Sequence, residues 1–355
     1  MFKSVRNFIS NHRRKFLFGG VFFGTLIVLA RYARGKLREW QEKELNDLLE
    51  RNRRRQHFEN TERTCNQTVL LLSNELRTAI TKCLDCEKVV NDLRSGTTDK
   101  ISSWNRLKIL AISRTVTIIY SYTMFVITLR IQFNIIAAAI YKNSIAANSQ
   151  NVENIDNKVK ESYLSLTRYL IETGIQKLSS LIQQKVKCAT SYYSLGCKLD
   201  AQHINQIYWS ILSLVSADES EDPVKNWSSY IIDPEFTKNN QTDKTLVKLL
   251  DDTLDLLESQ EVQELMKINL RYGFATLCDR ISEYLDANEG EAVKDDKLVN
   301  LKSVTITVAK IIPILNGQVP ENPTSGDLPT YWLQRLLLSE ELGTLGANIY
   351  EAIGY

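Results

Sequence analysis

Long stretches of this 355-residue chain place apolar residues three and four positions apart, with few Gly or Pro residues between them. The whole chain has 14 Gly and 6 Pro. One such stripe, between residues 64 and 93, carries Val69, Leu72, Leu76, Ile80, Cys83, Val90 and Leu93. A helix with one buried face requires this spacing. Because no strand-like run competes and no Gly, Ser or Pro-rich linker divides the chain, the pattern predicts an all-α protein with one large, elongated multi-helix bundle.

The same periodicity predicts where the helices lie. The predicted ranges are 37–58, 64–93, 100–141, 157–187, 199–217, 243–286, 297–314 and 330–355. Thr98 and Asp99 offer an N-cap for the third of these helices, and Pro313 is expected to end or kink the helix that contains it. Cys83 and Cys86 are neighbours at i, i+3 on the second predicted helix. With only three His residues in the chain and no second CxxC, we interpret them as buried structural thiols rather than as a redox motif or half of a zinc site.

The third predicted helix is long and unusually apolar. Its middle, Thr115 to Leu129, is uncharged and resembles a membrane span, but Arg114 and Arg130 bound only 15 residues, among which Ser, Thr and Tyr are frequent. A membrane-spanning helix needs about 20 predominantly apolar residues. We therefore predict that this helix lies at the centre of the bundle and is apolar all round because other helices surround it.

A second uncharged block, Phe16 to Ala30, lies near the amino terminus between clusters of Arg and Lys. It predicts a single transmembrane anchor over residues 16–33, short enough that the flanking cations must snorkel. A secretory signal peptide cleaved after Ala30 is the alternative. Against it, the six Cys residues are scattered with no dense framework, which suits a reducing compartment. This favours an anchor that holds a cytosolic body.

Charge separates the amino-terminal part from the rest of the chain. Residues 1–58 carry 14 Lys and Arg against 5 Asp and Glu, a net charge of +9, whereas the remainder carries −7. The basic part suits anionic lipid headgroups. The Arg51 to Arg55 run could instead contact nucleic acid, but neither interleaved aromatic residues nor a known binding fold accompanies it. We interpret it as a solvated helix that follows the anchor, and predict no nucleic-acid partner.

Catalytic motifs are missing from the sequence. It contains no G-x-G-x-x-G, Walker A, G-x-S-x-G or H-E-x-x-H pattern. The three His residues are too far apart in sequence to indicate a nucleophile and base, and the abundant carboxylates are typical of solvated helix faces. We therefore predict a protein that is not an enzyme, with no cofactor and no metal site.

A binding surface is predicted at the start of the third helix. Lys100, Trp104 and Lys108 follow one another at i, i+4 and i+8, and Leu107 lies beside the Trp. Leu93, at the end of the preceding helix, is expected to approach this face across a short turn. Such a face suits an amphipathic helix with bulky apolar and some acidic residues, with Trp104 as the hot spot. The alternative is that Trp104 is only a core residue.

Several segments in order along the chain resemble the peroxin 3 family, the peroxisomal biogenesis factor 3 proteins. They are FKSVRNFISNHRRK (residues 2–15) with the anchor after it, RQHFENTERTCNQTVL (55–70), WNRLKI (104–109), LRIQFNII (129–136), LLDDTLDLLES (249–259), RYGF (271–274), AKIIPILNGQ (309–318) and ANIYEAI (347–353). Residues 142–243 resemble the family only loosely, so we assign no function to them.

The resemblance implies a peroxisomal membrane protein without enzymatic activity. Its parts would be a basic targeting segment (1–15), the anchor (16–33), a basic helix (34–60) and a cytosolic helical-bundle domain (61–355). The family serves as the docking receptor for peroxisomal biogenesis factor 19, the soluble chaperone of newly made peroxisomal membrane proteins, and so acts in their insertion and in peroxisome assembly. Peroxisomal membrane lipids are the other expected partner.

The resemblance also implies the residues of the docking site. It places the amphipathic amino-terminal helix of the chaperone in a groove at the membrane-distal tip, formed by Leu93, Lys100, Trp104, Leu107, Lys108 and Ile140. The matching targeting residues are Lys3, Arg6, Arg13, Arg14 and Lys15. Two other functions stay open: a tethering adaptor that binds an organelle-transport or autophagy partner, and a helical bundle that handles lipid through residues 109–141.

Overall fold

A long helix that begins near the amino terminus leads into a bundle of further helices. The structure, a computed structural model, describes residues 13–96, 99–146, 155–233, 243–289 and 305–354, and of residues 13–30, 146 and 285–289 it describes the backbone alone. The first helices are α1 (Arg13–Cys83), α2 (Cys86–Ser95), α3 (Lys100–Ala146), α4 (Asn157–Leu164) and α5 (Leu166–Tyr169), followed by a π-helical turn (Leu170–Gly174). The later helices are α6 (Ile175–Ala189), α7 (Ala201–Ser216), α8 (Ser228–Ile231), α9 (Lys244–Glu258), α10 (Gln260–Glu289), α11 (Val308–Gln318), α12 (Leu328–Leu337) and α13 (Glu340–Gly354). The prediction of an all-α protein is confirmed.

The chain forms two compact units, residues 1–57 and residues 58–355. In the first unit, the described side chains from residue 31 onward belong to α1 and are almost all exposed. They include Leu37, Trp40, Leu45, Leu48 and Leu49, which lie in solvent in this structure. The second unit contains the large hydrophobic core and is the body of the protein.

Helix α3 is the centre of the second unit. It packs against α2, α6, α9, α10, α11, α12 and α13. Among the described residues, the stretch from Lys100 to Ile145 is the one helix long and apolar enough to span a membrane, and 83% of its most apolar window is buried inside the protein. The helices around α3 therefore cover its apolar surface, as predicted for a central helix. The predicted anchor over residues 16–33 lies in α1, where most side chains are outside the described residues, so it stays a prediction.

Several buried hydroxyl groups of α3 hydrogen-bond within the helix. Thr123 Oγ1 donates to the Ile119 carbonyl at 2.7 Å, and Thr128 Oγ1 donates to the Met124 carbonyl at 2.7 Å. Such bonds to the carbonyl four residues earlier satisfy a hydroxyl without a partner on another helix. The frequent Ser and Thr residues of this segment are thus compatible with a core position.

Two buried Arg side chains of α3 connect it to its neighbours. Arg114 donates to the Leu84 carbonyl between α1 and α2 and forms an ion pair with Glu87 at 2.6 Å. Arg130 forms an ion pair with Glu62 of α1 at 2.8 Å and donates to the Leu337 carbonyl at the end of α12. Because buried guanidinium groups need several acceptors, each fixes the relative position of three chain segments.

Several predicted helix boundaries are wrong. The predicted helix 64–93 breaks after Cys83 because Asp85 caps α2, accepting the Lys88 N–H at 2.8 Å. Cys83 is therefore exposed while Cys86 is buried, and the two do not share a buried stripe. The predicted helix 243–286 breaks at Ser259, where the backbone is extended. Helix α11 continues five residues past Pro313, so the proline does not end it.

One short antiparallel pair is the only β structure among the described residues. Strand β1 (Lys198–Leu199) pairs with β2 (Ile306–Thr307). The pair joins the segment before α7 to the segment before α11, where the sequence predicts a continuous helix over 297–314. Residues 297–304 of that prediction lie outside the described residues.

Candidate partner-docking surface

Helix α2 is followed in the chain by α3 and packs against it. Gly96 ends α2 in the left-handed region with φ of 68°, a conformation that Gly adopts without steric cost. Asp99 caps α3, because its carboxylate accepts the Ile101 and Ser102 N–H groups at 3.3 and 3.2 Å. Leu93, in the last turn of α2, packs against the hydrophobic core.

Trp104 lies half-buried on the first turns of α3. One part of its ring packs against the hydrophobic core and the other remains accessible. Leu93 is also half-buried, whereas Lys100 is exposed. Ile101 is 67% exposed, one turn before Trp104. We call these four residues the Trp104 surface. The combination of a partly accessible Trp, apolar neighbours and a cation is typical of a hot spot for protein binding.

Two residues predicted for this site are buried instead. Leu107 is 3% exposed and belongs to the core, and Lys108 is 6% exposed. Each step of four residues turns a helix by about 40°, so Lys108 lies about 80° around the helix from Lys100. That rotation turns Lys108 toward the carboxyl end of α6. Lys108 is therefore not a cation at the edge of a groove, and this part of the predicted geometry is wrong.

The Lys108 ammonium has a structural role at the end of α6. Its Nζ donates to the Tyr193 carbonyl at 2.7 Å and to the Thr190 carbonyl at 3.3 Å. Burial lowers the pKa of this ammonium, and the nearby Cys197 thiol acts in the opposite direction. A cation is well placed at a helix carboxyl end, where carbonyl groups lack partners. We call residues 190–197, which follow α6, the α6 loop, and Lys108 ties this loop to α3.

A small apolar cavity of about 30 Å³ lies beside Lys108, which is one of its lining residues. It is lined by core side chains from α7 and α11, among them Ile204 and Ile311. Small-molecule sites have volumes of roughly 300 to 1,000 Å³. The cavity has no room for an acyl chain, so it gives no support to the interpretation of the bundle as a lipid-handling protein.

Ile140 lies far from the Trp104 surface on the same helix. The two residues are 36 positions apart in α3, and at 1.5 Å per residue that is about 54 Å along the axis. Ile140 is half-buried against the core near the other end of the helix. Lys100 and Trp104 are therefore neighbours on the first turns of α3, Leu93 lies on the adjacent helix α2, and Ile140 lies far from all three.

The predicted targeting residues, or their side chains, lie outside the part of the chain that the structure describes. Lys3 and Arg6 lie outside the described residues, and the side chains of Arg13, Arg14 and Lys15 at the start of α1 are likewise not described. Their role stays a prediction. Among the residues that the structure does describe, no group of three or more His, Cys, Asp or Glu side chains could hold a metal ion.

Ile101 is a member of the Trp104 surface that the sequence analysis did not single out. It precedes Trp104 by three residues and so lies on nearly the same helix face. The spacing was therefore readable in the sequence. What the sequence lacked was a sign that this Ile points to solvent rather than into the core.

Comparisons with known proteins show to which family the sequence of the chain is similar. A family model described as Peroxin-3 matches residues 7–103, 95–153 and 137–352. The chain is 32% identical to "Peroxisomal biogenesis factor 3" of Bos taurus over 366 residues, which is 99% of this chain and 98% of that protein. The human protein of the same name gives 32% identity over 366 residues with the same coverage. "Peroxisome biogenesis protein 3-2" of Arabidopsis thaliana is 24% identical over 309 residues, 80% of this chain and 84% of that protein.

Proposed function

Since the chain belongs to the Peroxin-3 family of peroxisome biogenesis factors, we propose that it is the docking receptor for peroxisomal biogenesis factor 19. In this role it recruits the chaperone with its cargo of newly made peroxisomal membrane proteins, and so acts in their insertion and in peroxisome assembly. Membership of the family itself supports a role in peroxisome biogenesis. The receptor activity and the identity of the partner are the proposal.

One observation carries this proposal: Trp104 is half-buried on the first turns of α3, close to the exposed Ile101 and Lys100, and α3 packs there against α2, which carries the half-buried Leu93. An amphipathic helix binds by laying apolar side chains into such a surface, while acidic residues at its edge meet the cation. Trp is the side chain most enriched among binding hot spots because it buries a large area with few rotatable bonds. The amphipathic amino-terminal helix of the chaperone has the chemistry that this surface suits.

The location proposed for the protein is the peroxisomal membrane, since the family is one of peroxisomal membrane proteins. We propose that residues 16–33 anchor it and that the bundle faces the cytosol. Protease treatment of intact peroxisomes tests the orientation. We expect the bundle to be digested, and its survival would contradict the proposed topology.

The docking site is tested with the full-length chain in detergent micelles. A fluorescent peptide that covers the amphipathic amino-terminal helix of the chaperone is titrated, and its anisotropy is followed. We expect Trp104→Ala to weaken binding by about thirtyfold or more, equivalent to about 2 kcal/mol. Lys100→Glu should weaken it severalfold and make the remaining affinity less dependent on salt.

Trp40→Ala is the matched control, because Trp40 is an exposed Trp of the other compact unit. This variant should bind the peptide as the wild type does. Circular dichroism is used to check that Trp104→Ala keeps its helix content. Unchanged affinity in a folded Trp104→Ala protein would reject the Trp104 surface as the docking site.

A further inference from the structure

The α6 loop carries an aromatic side chain that lies almost entirely in solvent. Tyr192 is 91% exposed, more than any other large hydrophobic side chain among the described residues. Its neighbour Tyr193 packs against the hydrophobic core instead. A side chain stabilises the fold in proportion to the apolar area that it buries. Tyr192 therefore contributes little to the stability of the bundle, and its ring is available to a partner.

Hydrogen bonds at both ends fix the backbone of the α6 loop. At one end the loop accepts two hydrogen bonds from the Lys108 ammonium. At the other end the first two N–H groups of α11 donate to the Cys197 and Leu195 carbonyls, at 2.9 and 3.1 Å. These do not involve Lys108, so this end of the loop stays fixed when Lys108 is replaced. An exposed Tyr on such an ordered loop binds a partner at low cost in conformational entropy.

The geometry of α3 places Trp104 between α2 and the α6 loop. An α-helix turns by about 100° per residue, so Lys108 lies about 40° to one side of Trp104 and Arg114 about 80° to the other. Lys108 contacts the α6 loop, whereas Arg114 pairs with Glu87 of α2. Lys108 is only one turn, about 6 Å along the axis, beyond Trp104. The two neighbours of α3 thus lie on opposite sides of Trp104, with α3 as the floor between two walls.

The segment that contains the α6 loop is basic. Lys187 precedes the loop and Lys198 follows it, and both side chains are exposed. No Asp or Glu occurs between Glu172 and Asp200. Asp200 is engaged as the N-cap of α7, where it accepts the His203 N–H at 2.8 Å. A wall with an exposed aromatic ring and flanking cations suits the same kind of ligand as the Trp104 surface, an amphipathic helix with acidic residues.

We propose that the α6 loop is the second wall of the docking site, and that Tyr192 packs against the apolar face of the bound helix. This rests on the docking function proposed above and adds a determinant of specificity to it. With Trp104 on the floor and Tyr192 on the wall, the site contacts two adjacent stripes of apolar residues. It therefore prefers a helix with a broad apolar face to one with a single stripe.

The fluorescent chaperone peptide and the full-length chain in detergent micelles test this role. We expect Tyr192→Ala to weaken binding by about fivefold to tenfold, because an aromatic anchor is lost. Tyr192→Phe keeps the ring and should stay within about twofold of the wild type. Tyr331→Ala is the matched control, since Tyr331 is an exposed Tyr of α12, and it should bind the peptide as the wild type does.

Double-mutant cycles locate the contact on the peptide. Each apolar residue of the peptide is replaced in turn by Ala, and each peptide is titrated into the wild type, Tyr192→Ala and Tyr331→Ala. We expect at least one peptide position whose loss combines with Tyr192→Ala to about threefold less than the product of the two single losses. The same position should combine independently with Tyr331→Ala. A photocrosslinking residue in place of Tyr192 should capture the peptide, and one in place of Tyr331 should not.

The outcomes separate this inference from the docking function itself. Urea unfolding should show that Tyr192→Ala is as stable as the wild type, so that a change in affinity reports a contact. Wild-type affinity in Tyr192→Ala, with binding still weakened in Trp104→Ala, would overturn the second wall and leave the docking function standing. A wild-type chain that does not bind the peptide would overturn the docking function and this inference with it.

Discussion

Arg77 and Asp327 are 250 positions apart in the chain and form a buried ion pair, with Arg77 Nη1 and Asp327 Oδ2 at 2.9 Å. Arg77 belongs to α1 and also donates to the Pro320 carbonyl. Asp327 is at the same time the N-cap of α12, accepting the Thr330 N–H at 2.8 Å. One carboxylate therefore both starts α12 and holds the segment before it against α1.

Asp327→Ala is expected to reduce the free energy of unfolding strongly. It removes an N-cap and leaves the Arg77 guanidinium buried without its charge partner, which costs roughly 3 to 5 kcal/mol. Urea unfolding followed by circular dichroism measures the loss. The control is Glu42→Ala, which breaks the solvent-exposed pair of Glu42 with Arg38 and should cost less than about 0.5 kcal/mol. A loss below about 1 kcal/mol in Asp327→Ala would contradict this account.

The same carboxylate makes stability depend on pH in the acid range. Burial acts to raise the pKa of Asp327, but hydrogen bonds from Thr324, Thr330 and Arg77 outweigh it and hold the pKa below its usual value. The folded pKa is below the unfolded pKa of about 3.9. The stabilisation is therefore present above about pH 4 and is lost as the pH falls through the folded pKa.

We expect the wild type to lose stability more steeply than Asp327→Asn as the pH falls below about 4. Asn keeps the shape of the side chain but does not titrate, so the difference between the two curves isolates the carboxylate. Urea midpoints measured at closely spaced pH values give both curves. Parallel curves would show that this group does not titrate differently in the folded and unfolded states.

The fold was predictable from the sequence where a whole segment is buried among other helices. Helix α3 is buried on every side from residue 110 to 132. The uncharged, largely apolar run between Arg114 and Arg130 indicates a helix surrounded by others. The two breaks at Asp85 and Ser259 were not predicted. At each position a short side chain can cap a new helix or sit inside a continuous one, and tertiary contacts decide between the two.

The sequence predicted the central residue of the candidate docking site, Trp104, but not which other residues belong to the site. The spacing of Lys100, Trp104 and Lys108 identified one helix face. It did not reveal that the α6 loop lies against the third of these residues, because no local pattern encodes a contact between residues 108 and 193. The wrong expectation for Ile140 came from resemblance and not from spacing, and the rise of the helix alone excludes it.

Gly273 is required where α10 crosses α3. A Cβ atom at this position would lie 2.5 Å from Ile119 Cγ2 and 3.1 Å from Trp332 Cζ2, atoms of two buried side chains. We expect Gly273→Ala to destabilise the protein by about 1 to 3 kcal/mol, because the packed core has little room to move. Gly317→Ala is the matched control, since a Cβ there meets nothing within 4 Å.

The control should leave stability unchanged or raise it by up to about 1 kcal/mol, because Ala is the better helix former. Thermal melting of the two variants is compared with that of the wild type. If both variants melt alike, the crossing of α10 over α3 is looser than these distances indicate.

Lys108 and Lys100 are expected to differ in their contribution to the free energy of unfolding, although both belong to the predicted binding face. Lys108→Met removes a buried ammonium from the Thr190 and Tyr193 carbonyls, and we expect it to lower the free energy of unfolding by about 2 kcal/mol. Lys100 is exposed, so Lys100→Met should stay within about 0.5 kcal/mol of the wild type.

The second measurement is amide hydrogen exchange in the α6 loop. Lys108→Met should speed exchange in residues 190–197, since the loop loses the side chain that ties it to α3, whereas Lys100→Met should not change it. Binding gives the opposite order: the chaperone peptide should lose affinity in Lys100→Met and change little in a folded Lys108→Met protein. Equal binding losses in the two variants, with the α6 loop unchanged, would restore Lys108 as a cation of the docking face and refute its role as a clamp.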